Sequence, residues 1–187
     1  MRKEQSTMKH KTAQKLLQKV VTDYNEIAAE FSSTRGHSWR EFDLYKKHLK
    51  EGMTIADIGC GNGRFLNYLK ENFKRFNYTG IDNSEGLIKE AKSLHPKSKF
   101  KKGDMLKLPL EDETQDNTSC IAALHHIPTN KLRKEAINEM KRVSKSNGKI
   151  IISVWNLFQP RYKKYIWKSR IKHLTTLGKY APRDTLI

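Results

Sequence analysis

Apolar positions recur along this chain at two spacings, and the change from one to the other marks its organisation. Leu16, Leu17, Val20, Val21, Tyr24, Ile27, Ala28 and Phe31 fall three or four residues apart. That period predicts one amphipathic helix over residues 16–31. Ser32, Ser33, Thr34 and Gly36 break it, and Trp39, Phe42, Tyr45 and Leu49 predict a second, weaker helix that Gly52 ends. Short apolar runs then alternate with helical stretches. Strands are predicted at residues 54–58, 78–81, 99–102, 119–124 and 149–154. Helices are predicted at 64–72, at 87–94 with Ser84 as cap, and from Pro128 and Thr129 through Val143. Asn147-Gly148 turns the chain into the last strand. Strands alternating with helices imply parallel pairing through right-handed crossovers, hence an α/β doubly wound sheet.

A length of 187 residues suits one such domain. We divide it into a basic tail with lid helices (1–50), a sheet core (51–155) and a basic C-terminal segment (156–187). Charge changes the picture most. The chain has 37 Lys and Arg against 20 Asp and Glu, a formal net charge of +17. An excess of that size repels itself in a compact molecule and points to an anionic partner, nucleic acid first. The excess peaks after Trp155, where Arg161, Lys163, Lys164, Lys168, Arg170 and Lys172 interleave with Tyr162, Tyr165, Trp167 and Ile171. That pattern predicts a basic amphipathic helix suited to RNA, with a membrane surface the less favoured partner. Cys60 and Cys120 stand in apolar stretches with no metal-ligand spacing, so buried free thiols and no metal are expected. With no signal-peptide pattern and no membrane-length apolar run, a cytoplasmic protein is expected.

The first strand runs directly into Gly59-Cys60-Gly61-Asn62-Gly63. A turn without side chains lets a ligand approach the backbone, and its N–H groups at a helix N-terminus favour a carboxylate or phosphate. Asp82 ends the second strand, where a carboxylate can accept from both hydroxyls of a ribose. Asp104 ends the third, placed to meet an adenine amine. Asp57, Asp82 and Asp104 at successive strand ends make a constellation far more specific than the turn alone.

Ile55-Ala56-Asp57-Ile58-Gly59-Cys60-Gly61-Asn62-Gly63 resembles the first motif of class I methyltransferases that use S-adenosylmethionine (SAM). The resemblance covers about residues 20–157 and implies a Rossmann-like sheet with SAM as cofactor. It implies that Asp57, Gly59 and Gly61 surround the methionine end, with Tyr24 from the lid. Asp82 and the adjacent Asn83 would hold the ribose, and Asp104 with Met105 would frame the adenine. Leu124-His125-His126 resembles the fourth motif, beside the transferring methyl.

The helix from Tyr24 to Phe31 with its ending Ser32-Ser33-Thr34-Arg35, followed by Trp39, resembles the wobble-uridine tRNA methyltransferases. Those enzymes esterify a carboxymethyl group on uridine 34, which implies tRNA as partner and allows a small activating protein subunit. A carboxylate acceptor is ionised at neutral pH and needs no base; it needs a cation, and Arg35 is the candidate. His125 and His126 can orient the acceptor, and a phenol or amine acceptor would want His126 as base. Trp39 and Trp155 can stack on a base, with core packing the stronger expectation for Trp155. Two readings compete: a methyltransferase of small quinone or lipid precursors, and a non-catalytic RNA- or membrane-binding module on the same fold. Class I sheets also carry a sixth and seventh strand, and none is legible before Ile187, so a truncated sheet with an uncovered flank is expected. Gln115 stands where an aromatic is usual.

Overall fold

The computed structural model describes residues 10–156 and 159–160. Most of the basic segment after Trp155, and with it any sixth or seventh strand there, lies outside the described residues. Five strands are described: β1 (Thr54–Ile58), β2 (Asn77–Asp82), β3 (Lys99–Lys102), β4 (Gln115–Ile121) and β5 (Ser144–Ser153). They form one sheet in the order β3-β2-β1-β4-β5, with every pairing parallel. The helices are α1 (His10–Glu26), α2 (Ala28–Ser33), α3 (Asp43–Lys46), α4 (Arg64–Asn72), α5 (Glu85–Leu94) and α6 (Asn130–Val143).

Alternation along β1 divides the core. Ile55 packs with Phe65, Leu66 and Leu69 of α4 and Ile88 and Ala91 of α5 on one face. Ala56 and Ile58 pack with Ala136, Met140 and Val143 of α6 on the other. The helices following β1 and β4 therefore leave to opposite sides of the sheet. Between those strands the crossovers diverge and a crevice opens at the strand C-termini, the general ligand position of this architecture.

Three elements differ from the sequence reading. The helix expected over 16–31 is broken at Ile27, so α2 starts afresh at Ala28. Asn25 explains the break: its Oδ1 accepts from Ser84 Oγ (2.8 Å) and Gly86 N (3.0 Å), docking the end of α1 on the start of α5. The fourth strand runs 115–121 rather than 119–124, and Leu124–His126 is a 3-10 turn. Asn117, Thr118 and Ser119 are fully buried in that strand, so its polar half carries no apolar signal. The last strand starts early, at Ser144. Residues 145–148 belong to this strand, where a turn at Asn147-Gly148 is expected from the sequence, and the register with β4 shifts between Gln115 and Asn117.

Candidate active site

The crevice is a cleft of about 210 Å³ bounded by the β1–α4 turn, the ends of β2 and β4, and the lid formed by α1 and α2. Its floor is acidic. Asp57 is 2% exposed and accepts from Tyr78 Oη at 2.8 Å. Burial outweighs that hydrogen bond and lifts its carboxyl to about 7. Such a group gains from a cation placed beside it.

Gly59 and Gly61 sit above Asp57 in the left-handed region, at φ 72° and 57°. A Cβ on Gly59 would lie 2.3 Å from Ala123 Cβ, and one on Gly61 would touch the Phe31 ring at 3.5 Å. The neighbours exclude a side chain at Gly59, and the left-handed φ disfavours one at both positions. Four of the N–H groups in this turn are already taken by the protein itself. Gly59 N and Cys60 N donate to Ile81 O at 2.7 and 3.1 Å, and Gly63 N donates to Cys60 O at 3.0 Å. Gly61 N donates to Asp82 Oδ2 at 2.9 Å. These hydrogen bonds stitch the turn to the end of β2; the glycines give close approach rather than anion binding.

Asp82 lies at the rim of that stitch. Ser84 N donates to its other oxygen at 2.9 Å. Burial pushes its carboxyl up, opposed by N–H donors from Ser84, Gly61 and Asn83. Of the about four acceptor sites of the carboxylate, one is left for a hydroxyl. Asn83 lines the cleft beside it. Asp104 lies two residues past the end of β3; it is exposed and caps its own turn, accepting from Leu106 N at 2.9 Å. Met105 lines the same wall. That loop is fastened to α6, since Glu139 accepts from Leu108 N at 2.8 Å and Arg142 donates to Leu108 O and Leu110 O.

The opposite wall holds the histidines. Tyr24 Oη and His126 Nε2 are 3.0 Å apart. Burial lowers the His126 pKa and, with repulsion from His126, lowers that of His125 to about 4, so both rings are neutral at pH 7. Only His126 of the pair lines the cleft. His125 stacks on Trp155, ring centroids 5.7 Å apart, and its buried Nδ1 has no hydrogen-bond partner. Leu124 turns away from the cleft into the core beneath α6; Ile121, Ala122 and Ala123 take the lining place expected for it. Trp155 is 48% exposed at the cleft rim, against the expectation of core packing. It follows the end of β5, and among the described residues it is the His125 ring that stacks on it.

At the mouth, the Arg35 guanidinium lies 4.0 Å over the Phe31 ring and donates to Thr34 Oγ1 at 2.8 Å. Arg64, a residue the sequence reading passed over, lies 4.5 Å over the Trp39 ring and lines the cleft too. Its position immediately after the last motif glycine was the available signal. Trp39 itself packs against Phe42 and carries Arg64 on its outer side. Buried Asn62 ties this mouth to the turn, donating to Ser32 O, Ser32 Oγ and Arg35 O at 3.3–3.4 Å.

A family model described as a methyltransferase domain matches residues 56–152, which run from β1 to β5 and include the whole floor. The chain belongs to this methyltransferase family. As a member it is 35% identical over 170 residues to the tRNA (carboxymethyluridine(34)-5-O)-methyltransferase of Mus musculus, covering 88% of this chain and 24% of that protein. The chain spans between 20% and 47% of the length of the first curated relatives it matches. A SAM-dependent methyltransferase from Methanosarcina mazei is 25% identical, with TM-score 0.59 over 67% of this chain and 64% of that one. A Haloferax volcanii methyltransferase, in complex with the Trm112 activator, shares the fold at 22% identity and TM-score 0.60, over 70% and 58% of the two chains.

The methyl donor of this family is SAM, and the residues present fit it. A buried carboxylate that gains from a cation suits its ammonium, and two glycines leave room for it to lie on the backbone. Among the described residues no cluster of His, Cys, Asp and Glu suits a metal ion, and no helix is long and apolar enough to cross a membrane.

Proposed function

We propose that this methyltransferase esterifies the carboxymethyl group of a wobble uridine in tRNA. The observation that carries the reading is the likeness to the mouse tRNA enzyme over 170 residues. That stretch is far longer than the cofactor core and must take in lid residues, which face the acceptor. Cofactor residues alone do not choose an acceptor.

SAM supplies an activated methyl sulfonium when bound. Asp57 would meet its ammonium, Gly59 and Gly61 would leave room for it, and Tyr24 would cover it from the lid. Asp82 and Asn83 would hold the ribose, and Asp104 and Met105 would border the adenine. The remaining work is to align an acceptor oxygen and strip water from it. Arg35 positions the carboxylate. His126, held by Tyr24, orients it as a neutral donor or acceptor, and Trp155 and Trp39 flank the base. The basic segment 156–187 contacts tRNA phosphates, a small activating subunit completes the enzyme, and the protein works in the cytoplasm.

Total tRNA incubated with labelled SAM, with and without an activating subunit, should yield the methyl ester of 5-carboxymethyluridine on nucleoside analysis. Label in an organic extract and none in tRNA would overturn the reading. One observation favours that second outcome: a neutral His126 bonded to Tyr24 is a competent base for a phenol, which a carboxylate does not need. Absence of SAM binding at millimolar concentration would leave only a non-catalytic module.

A further inference from the structure

Arg35 and Arg64 stand at the cleft mouth as two cations with no ion pair among the described residues. Among the described residues the ion pairs lie elsewhere, on Lys19, Lys102, Arg142 and Lys145. Each guanidinium is instead laid on an aromatic face, Phe31 for Arg35 and Trp39 for Arg64. The two are joined, because Arg64 Nε donates to Arg35 O at 3.3 Å. Burial, then repulsion from Arg35, lowers the Arg64 pKa to about 10. Like charges held together and partly desolvated are costly unless an anion comes between or beside them. Planar guanidiniums with free N–H edges suit an oxyanion bidentately. The acidic floor has the opposite sign, so the cleft is polarised from floor to mouth.

We propose that Arg35 and Arg64 form a paired-guanidinium subsite for an oxyanion of the acceptor, with Arg64 as a binding and specificity-determining residue. This rests on the methyltransferase reading and deepens it. Two sources present the same chemistry: the carboxylate of the modified base and a neighbouring backbone phosphate. Arg64 serves either by holding charge at the mouth, whereas Asp57 and Asp82 serve the cofactor at the floor. The two ends should therefore respond separately to substitution.

The test compares the wild-type chain with Arg64→Gln and Arg64→Lys. Calorimetry with SAM should give affinities within about twofold for all three, which a merely structural role for Arg64 under Asn62 and the turn would not. Binding of 5-carboxymethyluridine to the SAM-loaded protein should weaken about tenfold in Arg64→Gln and recover in part in Arg64→Lys. Uridine 5′-monophosphate is the second arm; a tenfold loss there with the carboxylate unaffected assigns the subsite to phosphate. Equal binding of both anions to wild type and Arg64→Gln overturns the proposal, as does parallel loss of SAM and anion. If Arg64→Gln does not fold, Arg64→Lys, which keeps the stem and the charge but not the fork, carries the same comparison. A wild-type chain that binds these anions through Arg64 yet esterifies no tRNA keeps the subsite and sinks the tRNA reading alone.

Discussion

Asp57 is asked to be a carboxylate in a place that resists one. Its ordinary value of 3.8 rises to about 7 on burial, so at neutral pH the free protein holds it about half protonated. A cationic ligand binds the ionised form, and affinity for SAM should therefore tighten as pH rises from 6 to 8, by up to about tenfold below the transition. Calorimetry across that range checks it; a flat profile would remove Asp57 from the ammonium. Folding responds with the opposite sense. The folded pKa lies above the unfolded one, so this group's stability is full below about pH 4 and is lost as pH rises towards 7. Asp57→Asn should raise the Tm at pH 8 while weakening SAM at least tenfold, a trade of stability for function. Gly59→Ala meets the Ala123 methyl at 2.3 Å from a left-handed backbone, and should cost about 2–5 kcal/mol in chemical denaturation.

Between elements, the decisive contact is the one that fastens lid to turn. Asn62→Ala removes donors to Ser32 and Arg35 and leaves those acceptors without their partner, a loss of about 1–3 kcal/mol. Residues 32–36 should exchange amide hydrogen faster and KM should rise more than kcat falls; unaltered exchange would show the lid is held by other means. What the sequence reveals at this scale follows burial. Strands β1 and β2 and helices α4 and α5 were legible because their apolar periods match their buried faces. The polar half of β4 was not, since Asn117, Thr118 and Ser119 are buried for reasons of neighbours and hydrogen bonds, Ser119 Oγ donating to Asn117 Oδ1 at 2.6 Å. Asp57, Asp82 and the glycines were legible as a motif. The direction of their N–H groups was not, because the partner, Ile81, lies on another strand. The place of Arg64 and the exposure of Trp155 escaped for a similar reason: a charge over a ring, and a ring at an open edge, are facts of assembly.

For the whole molecule, the excess of cations outweighs any single contact. If tRNA is the acceptor, binding releases counterions, and affinity should fall about 10³-fold between 50 and 200 mM salt for on the order of six phosphates neutralised. A salt-insensitive interaction would disqualify the basic surface as the RNA contact. The polarised cleft makes the same molecule attract two unlike ligands, a cationic donor to its floor and an anionic acceptor to its mouth. The stitched turn sets a limit on how fast it does so. With Gly59, Cys60 and Gly61 bonded to Ile81 and Asp82, the cofactor's seat is held by the protein's own hydrogen bonds, which lowers the ordering cost of binding. A seat shaped in advance receives a spent donor as well as a fresh one, since the two differ by one methyl and one charge. S-adenosylhomocysteine should bind within about tenfold of SAM (1.4 kcal/mol), so that waste clearance paces the catalyst and the ratio of fresh to used donor around it becomes its throttle.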